Sequence, residues 1–473
     1  MRGVHPVADI RTAEDALMAR LPDGALMDRA AQGLAVECAR LLERVYGARV
    51  VLLVGAGNNG GDTLYAGALL ARRGARVTAV LLAPEKTHAG GLTALERAGG
   101  RRAAPDRFAL DADLVVDGIV GIGGKGGLRE AAIPLALAAR SVCTVAVDIP
   151  SGVDADTGEA GEDTIRADVT VTFGALKPGL IVGTGAERAG VVRLVDIGLD
   201  ATLPPARIHV LEATDVAALL PSPGEADNKY TRGVVGLVTG SATYPGAGVL
   251  STGAAINGGA GMVRYAGTAA EAIRASYPEI VVQDGARPGD LHVQAWTVGP
   301  GIGTDDAARN LLAEVLATDL PVIADADAIT LVGSSPELVR RRSAPTVLTP
   351  HDGEFARIAK GPSADRIGSA RAAAAVLDAV VLLKGNATIV AAPDGRVWVN
   401  PTGTPWLGTA GSGDVLSGLI GSLLAAGVDA PLAAAAGAYV HGVAGQLAAA
   451  DGPPSSVDVL HALRPALRAI ARG

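Results

Sequence analysis

This sequence predicts two α/β domains in tandem, each a mostly parallel sheet wrapped by helices, and three observations predict it. At 473 residues the chain exceeds the roughly 250–300 residues at which a single hydrophobic core stops growing. Short β-branched runs alternate with alanine-rich helical stretches, break off, and then restart the same alternation, the pattern of parallel sheets covered by helices. Hydrophobic residues make up 49% and charged ones 19%, with 63 glycines and 3% aromatics, a globular composition built from small residues.

In the first half, strands are expected at 50–54, 76–82, 114–117, 142–147, 169–173 and 191–195, giving a Rossmann-like three-layer domain over 1–205. A seam is expected near 196–207, where the strand pattern stops and Leu203-Pro204-Pro205 interrupts any helix. A second domain over 215–473 restarts with strands at 234–239, 262–266, 295–299, 322–325, 347–349 and 380–383. It closes with three helical stretches, the first opening at Gly411-Ser412-Gly413-Asp414.

Charge and composition exclude several classes. Forty-nine acids against 41 bases leave a net charge of −8, and without a cationic stripe to neutralise phosphates no nucleic-acid partner is expected. Cys38 and Cys143 form neither a CxxC nor a disulfide framework, which reads as reduced thiols. No apolar segment follows Met1-Arg2-Gly3-Val4-His5-Pro6 to make a secretory signal. The apolar tract 418–450 is broken by Asp429, Pro431 and His441, so it reads as two packed helices and no membrane partner. The expectation is a cytoplasmic chain.

The strand at 50–54 runs into Gly55-Ala56-Gly57-Asn58-Asn59-Gly60-Gly61-Asp62, and a helix is expected over 63–73 with Gly74 as its cap. Unpaired amides at such a helix start attract anions, while the Asn and Asp oxygens offer hard ligands to a cation. Asp117 and Asp148 end two further strands, followed by Gly121-Ile122-Gly123-Gly124-Lys125-Gly126-Gly127 and by Ile149-Pro150-Ser151-Gly152. The carboxyl ends of parallel strands share one edge, so Asn59, Asp117, Asp148 and Ser151 can meet in one crevice. Taken singly, a carboxylate there is more often a helix cap.

Together with Phe173-Gly174-Ala175-Leu176-Lys177-Pro178-Gly179, these motifs resemble, in order, the signatures of NAD(P)H-hydrate epimerases. The resemblance implies that Asn58, Asn59, Gly60, Gly61 and Asp62 cradle the dinucleotide together with Gly121, Ile122, Gly123, Gly124, Lys125, Gly126 and Gly127. It also implies that Asn59, Asp117 and Ser151 hold a potassium ion and that Asp148 contacts the hydrated nicotinamide. Thr63 departs from the glycine usual there and is the one feature favouring a sensing module that no longer turns over. Inverting the hydrated carbon next to the ring nitrogen requires C–O cleavage assisted by proton transfer, and Asp148 is the candidate acid–base group.

In the second half, Thr409-Ala410-Gly411-Ser412-Gly413-Asp414 precedes a helix expected over 415–426, a loop that lets amides approach a phosphate. An aspartate there is repelled by phosphate, so Asp414 reads as a base acting on a hydroxyl placed beside it. Lys384-Gly385-Asn386-Ala387-Thr388 supplies a cation and a hydroxyl suited to nucleotide phosphates. Thr349-Pro350-His351-Asp352-Gly353-Glu354 adds an imidazole that is either a ligand contact or a helix cap.

With Gly299-Pro300-Gly301-Ile302-Gly303, Tyr244-Pro245-Gly246-Ala247 and Gly259-Ala260-Gly261-Met262-Val263, this half resembles the ribokinase-like superfamily and, within it, the NAD(P)H-hydrate dehydratases. That implies adenine-nucleotide binding by Lys384, Gly385, Asn386, Ala387, Thr388 and Gly413, with Ala247, Gly301, His351 and Asp414 facing the hydrate. ADP or ATP would phosphorylate the hydroxyl so that the ring nitrogen can expel phosphate, with the amides of 411–413 stabilising the charge. Magnesium is expected, with Asp325, Asp327 and Glu354 as candidate ligands. The substrates implied are hydrated NADH or NADPH and an adenine nucleotide, and a homo-oligomer is expected. The alternative is a small-molecule kinase, for a vitamin or sugar alcohol, carrying a non-catalytic dinucleotide-binding module.

Overall fold

The computed structural model describes residues 1–105, 111–124, 127–283 and 287–472. The chain divides into two compact units, one of Gly3–Ala206 and one of Arg207–Gly473 together with Met1–Arg2.

The first unit carries a parallel sheet in the order Arg101–Ala103, Arg76–Leu81, Arg49–Val54, Leu114–Gly118, Thr144–Val147, Val169–Phe173, Val191–Val195. From Arg49–Val54 the chain winds outward to Arg101–Ala103, then returns to lay Leu114–Gly118 on the other side. This reversal opens a crevice at the carboxyl ends of those two strands. The central strands are apolar throughout because helices cover both faces. Val50, Leu52 and Val54 point into one core with Leu34 and Leu64, while Val51 and Leu53 point into another with Leu135. Burying each such side chain contributes about 1.5–3 kcal/mol.

The helix after the first strand begins earlier than expected, spanning Asn58–Arg72. Gly57 at φ 90° turns the chain, and Asn58-Asn59-Gly60-Gly61-Asp62 is the first helical turn and not a loop. Two glycines in a helix cost about 1 kcal/mol each, and crowding explains them. A Cβ on Gly60 would lie 2.5 Å from the Gly55 carbonyl oxygen, and one on Gly61 would press on Met27 and His88 at 3.0–3.1 Å. Gly74, at φ 89°, follows the helix as expected.

The second unit's sheet runs Ile208–Val210, Val397–Asn400, Thr388–Ala391, Val380–Leu383, Thr346–Leu348, Val322–Ala324, Ala295–Val298, Val234–Val238, Met262–Tyr265, Val281–Val282. It is parallel except where Thr388–Ala391 pairs antiparallel with both neighbours, so Thr388 opens a strand. Pro245–Asn257, Ser412–Ala425, Ala430–Ala448 and Ser456–Ala471 share one core, and Asp306–Leu316 and Asp327–Ser334 belong to the other. Small residues bring these helices close: a Cβ on Gly418 would collide with the Ser251 carbonyl. Tract 418–450 falls in two helices, and no helix of the described residues is long and apolar enough to cross a membrane. Cys38 and Cys143 are both free thiols.

Candidate functional site

In the first unit, the crevice at the sheet reversal is a cavity of about 850 Å³ lined by Asn58, Asn59, Asp62, Gly121, Ile122, Gly123 and Asp148. Gly60 and Gly61 are buried behind this wall. Gly124 packs against Val120, and Gly127 turns at φ 83°. Lys125 and Gly126 lie outside the described residues.

Asp117 and Ser151, both fully buried, are bonded to each other. The Ser151 hydroxyl donates to Asp117 Oδ1 at 2.6 Å and the Ser151 amide to Oδ2 at 2.8 Å, while Ser151 Oγ accepts from the Val120 amide at 2.9 Å. Burial pushes the Asp117 carboxyl up to about 6, against the hydrogen bonds from Ser151 and Ile119. Asn59 stands over Gly121, where a Cβ would be 2.9 Å from its Oδ1, and its Nδ2 is buried without a hydrogen-bond partner among the described residues.

Asp148 ends its strand at φ 68°, a conformation costly for any residue but glycine. Its carboxylate is held from one side: Lys177 Nζ donates to Oδ1 at 2.5 Å, with Thr172 Oγ1 at 3.2 Å and the Phe173 amide at 3.4 Å. Lys177 is 1% exposed, and also donates to Thr172 Oγ1 and the Phe173 carbonyl. Lys177 lies in the motif 173–179, and the sequence alone assigns it no role. Its signal was a lysine inside an apolar stretch, which burial permits only with a partner. Four more carboxylates line this cavity, Glu14, Asp23, Asp28 and Asp62; Glu14, on the helix Val7–Met18, had no signal in the sequence.

In the second unit, the loop before the helix Ser412–Ala425 stands beside a buried polar cluster. Gly411 turns at φ 86°, and a Cβ on Gly413 would lie 3.5 Å from both Asp325 Oδ2 and Lys384 Nζ. Lys384 donates to Asp325 Oδ1 at 2.8 Å and lies 3.5 Å from Glu354 Oε2. Burial opposes its charge, but Asp325 and Glu354 hold its pKa above the usual lysine range. Ser417 Oγ donates to Asp325 Oδ2 at 2.7 Å and to the Gly413 carbonyl at 2.9 Å. Asp325, flagged from sequence only as a candidate metal ligand, is thus the anchor of the cluster.

Asp414 is pushed up to about 7, first by burial and then by Asp325, Asp327 and Glu354, with Lys384 opposing. Between Asp325 and Asp327, Ala326 sits at φ 51°. Asp327 Oδ2 accepts from the Gly303 amide at 2.8 Å, and Gly301, at φ 65°, approaches so closely that its Cβ would meet that of Ala247 at 2.9 Å. The structure therefore brings Ala247, Gly301, Gly413 and Asp414 to the edge that carries Lys384.

His351 is the cap of the helix Asp352–Ile358, its Nδ1 accepting from the amides of Gly353 at 3.0 Å and Glu354 at 3.3 Å. Gly385 and Asn386 are exposed, Ala387 is half-buried and Thr388 is buried. Arg366 went unnoticed in the sequence, and His441 was read there only as a break in an apolar tract. Arg366 donates to the Lys384 carbonyl at 3.0 Å and pairs with Asp352 at 2.9 Å. His441, buried among the helices, is pushed down to about 4 by burial, with a backbone hydrogen bond at Ser412 opposing and Lys384 adding to the fall.

Comparison with known proteins agrees with this division. Residues 23–179 match the family described as YjeF-related protein N-terminus and residues 235–464 the NAD(P)H-hydrate dehydratase family. A bifunctional NAD(P)H-hydrate repair enzyme of Mycobacterium leprae is 50% identical over 465 residues, 97% of this chain and 96% of the relative. Its counterpart in Mycobacterium tuberculosis is 50% identical over 426 residues, 89% and 88% of the two chains. Among solved structures, the ADP/ATP-dependent NAD(P)H-hydrate dehydratase of Bacillus subtilis, co-crystallised with ATP and Mg²⁺, is 29% identical with a TM-score of 0.50, spanning 55% of this chain and 97% of that one. With both family models matched and half its residues identical to relatives of nearly its own length, the chain belongs to the bifunctional NAD(P)H-hydrate repair enzymes.

Proposed function

We propose that the chain returns hydrated NADH and NADPH to use, with 1–205 interconverting the R and S hydrates and 215–473 dehydrating the S hydrate at the expense of an adenine nucleotide. The observation that carries this reading is the placement of an aspartate in a prepared setting at each site: Asp148 on a cavity large enough for a dinucleotide, Asp414 at the mouth of an anion-binding helix start.

At the first site, Asn58 to Asp62 and Gly121 to Gly127 line the dinucleotide, and Asp148 meets the hydrated ring, its free oxygen opposite the edge taken by Lys177. Potassium fits beside Asp117, Ser151 and Asn59. The donors are all oxygen, which suits a hard cation, and among the described residues only hydrogen bonds from Ser151 and Ile119, and no cation, offset the burial of Asp117. When bound, the ion would supply that charge and brace the Gly121 turn.

At the second site, Asp414 takes the proton of the hydrate hydroxyl while the amides of 411–413 receive the phosphate. A base with a pKa near the working pH is the efficient choice. Gly413 and Lys384 to Thr388 face the nucleotide, and Ala247, Gly301 and His351 the hydrate. Lys384 already neutralises Asp325 and touches Glu354, so magnesium would be held chiefly through the phosphates it accompanies, as Mg²⁺ commonly is. Its chemistry there would be to neutralise charge on the transferred group.

The test is to incubate the full chain with chemically hydrated NADH, with ADP or ATP, in potassium and in sodium buffer, following recovery of the reduced-ring absorbance and the R and S pools. Nucleotide-dependent recovery with phosphate release, and potassium-dependent interconversion, are expected. Phosphorylation of a stable alcohol without recovery of NADH would favour the kinase reading instead.

A further inference from the structure

Five carboxylates line the cavity of the first unit, Glu14, Asp23, Asp28, Asp62 and Asp148, and their settings are unequal. Asp148 is ion-paired with Lys177 at 2.5 Å. Burial first and then Asp148 push the Glu14 carboxyl up, with Lys177 and Arg11 opposing. Asp62, in the second turn of the helix Asn58–Arg72, faces the cavity half-buried and has neither hydrogen bond nor ion pair among the described residues. It is an unpartnered carboxyl on the wall that receives the substrate. A carboxyl with a displaced pKa on the wall of a substrate cavity is a candidate for chemistry.

Resting on the assignment of epimerisation to this cavity, we propose that Asp62 is the proton donor to the departing hydroxyl of the hydrated ring, complementary to Asp148. The Asp62 O–H gives its proton to the hydroxyl oxygen, and the C–O bond breaks with its electron pair leaving on water. The lone pair of the adjacent ring nitrogen forms the C=N bond of an iminium. A second water then adds to the opposite face of that carbon and loses its proton to Asp148. One water leaves and one enters, one proton moves from Asp62 to Asp148, and exchange with solvent resets the pair. In the reverse direction the two aspartates exchange roles.

The surroundings favour this division. Burial first, then the charges of Asp148 and Glu14, push the Asp62 carboxyl well above the usual range, with no cation among the causes. The other titratable groups on the cavity wall are Arg11 and Glu14 of Val7–Met18, Asp23 and Asp28 at the start of Ala25–Leu41, Tyr65 of the same helix as Asp62, His88 ahead of Ala89–Arg97, and Asp148, which is paired with Lys177. His88 Nδ1 accepts from the Gly91 amide at 3.0 Å, so that nitrogen is committed as an acceptor to its own helix.

The test runs epimerisation of R-hydrated NADH by the wild-type full chain in ¹⁸O-water. One solvent oxygen per inversion, above the spontaneous background, is expected. Inversion with the original oxygen retained would overturn the proposal while leaving the site assignment intact; absence of any inversion would overturn both. The wild-type rate should fall as pH rises through the pKa of Asp62, because the protonated form is the active one. Asp62→Asn should lower epimerase kcat by about 10²–10⁴-fold with KM little changed, remove that alkaline limb, and regain part of the rate as Asp62→Glu. A kcat for Asp62→Asn within a few-fold of wild type would also overturn the proposal.

Discussion

Each unit buries a lysine against an aspartate at a strand end, Lys177 on Asp148 and Lys384 on Asp325, and each sets a non-glycine residue at positive φ beside that pair. In the first unit the strained residue is the paired Asp148 itself. In the second it is Ala326, and the candidate base is a different residue, Asp414. An ammonium therefore rests directly on the candidate carboxylate at one site, while at the other it rests on a neighbour and leaves Asp414 among Asp325, Asp327 and Glu354 with a pKa of about 7. The same two residue types thus yield an anchored carboxylate in one place and a carboxyl poised near neutrality in the other.

The largest effect should come from deleting the poised group. Asp414→Asn should lower dehydration by about 10²–10⁴-fold, keep or tighten nucleotide affinity by relieving charge repulsion, and spare epimerisation. Calorimetric titration with ADP and assay of both half-reactions check this; loss of nucleotide binding would make Asp414 an organiser of the loop. The anchored group should fail differently. Lys177→Met strands a buried carboxylate and should destabilise the first unit by about 3–5 kcal/mol, read as faster amide exchange in the strand Val169–Phe173, whereas Lys177→Arg should keep part of the stability.

The contrast also sets a pH window. A base acts as its carboxylate, so dehydration should rise as pH climbs toward about 7 and level off above it, changing about tenfold per unit well below that point. Because Lys384 opposes the rise of Asp414, Lys384→Met should move this limb to higher pH; an unmoved limb would mean that another group sets it. The smallest effect concerns backbone strain. Ala326→Gly relieves a costly conformation at φ 51° and should stabilise the second unit by about 1 kcal/mol at most, measured by denaturant unfolding of the full chain.

The central strands were legible because continuous apolar runs have few other uses, and their carboxyl ends placed Asp117 and Asp148 where the structure puts them. The edge strands Arg101–Ala103 and Val281–Val282 were not, since two or three partly exposed residues carry no period. The strand Thr388–Ala391 was passed over because its first residue closes a motif that read as a phosphate loop, and its partner Val397–Asn400 went unread with it. The start of the helix at Asn58 was hidden because adjacent glycines argue against a helix unless a neighbour needs the space, and here Gly55, Met27 and His88 do. The pairs Lys177–Asp148 and Lys384–Asp325 join positions 29 and 59 residues apart, so the topology, and no local pattern, brings them together.

Thr63, which stands where glycine is usual, is fully buried, and its hydroxyl donates to the Asn59 carbonyl at 2.7 Å. It fills the space a side chain on Gly118 would need, since a Cβ there would collide with its Oγ1. The two positions therefore share one allotment of volume across the helix and the strand. A lineage that has admitted threonine at 63 can no longer accept even alanine at 118, and one that had first enlarged 118 could never have acquired the threonine. The order in which such substitutions arise becomes part of the inheritance of the fold, and Gly118→Ala should be tolerated only where Thr63→Gly has preceded it.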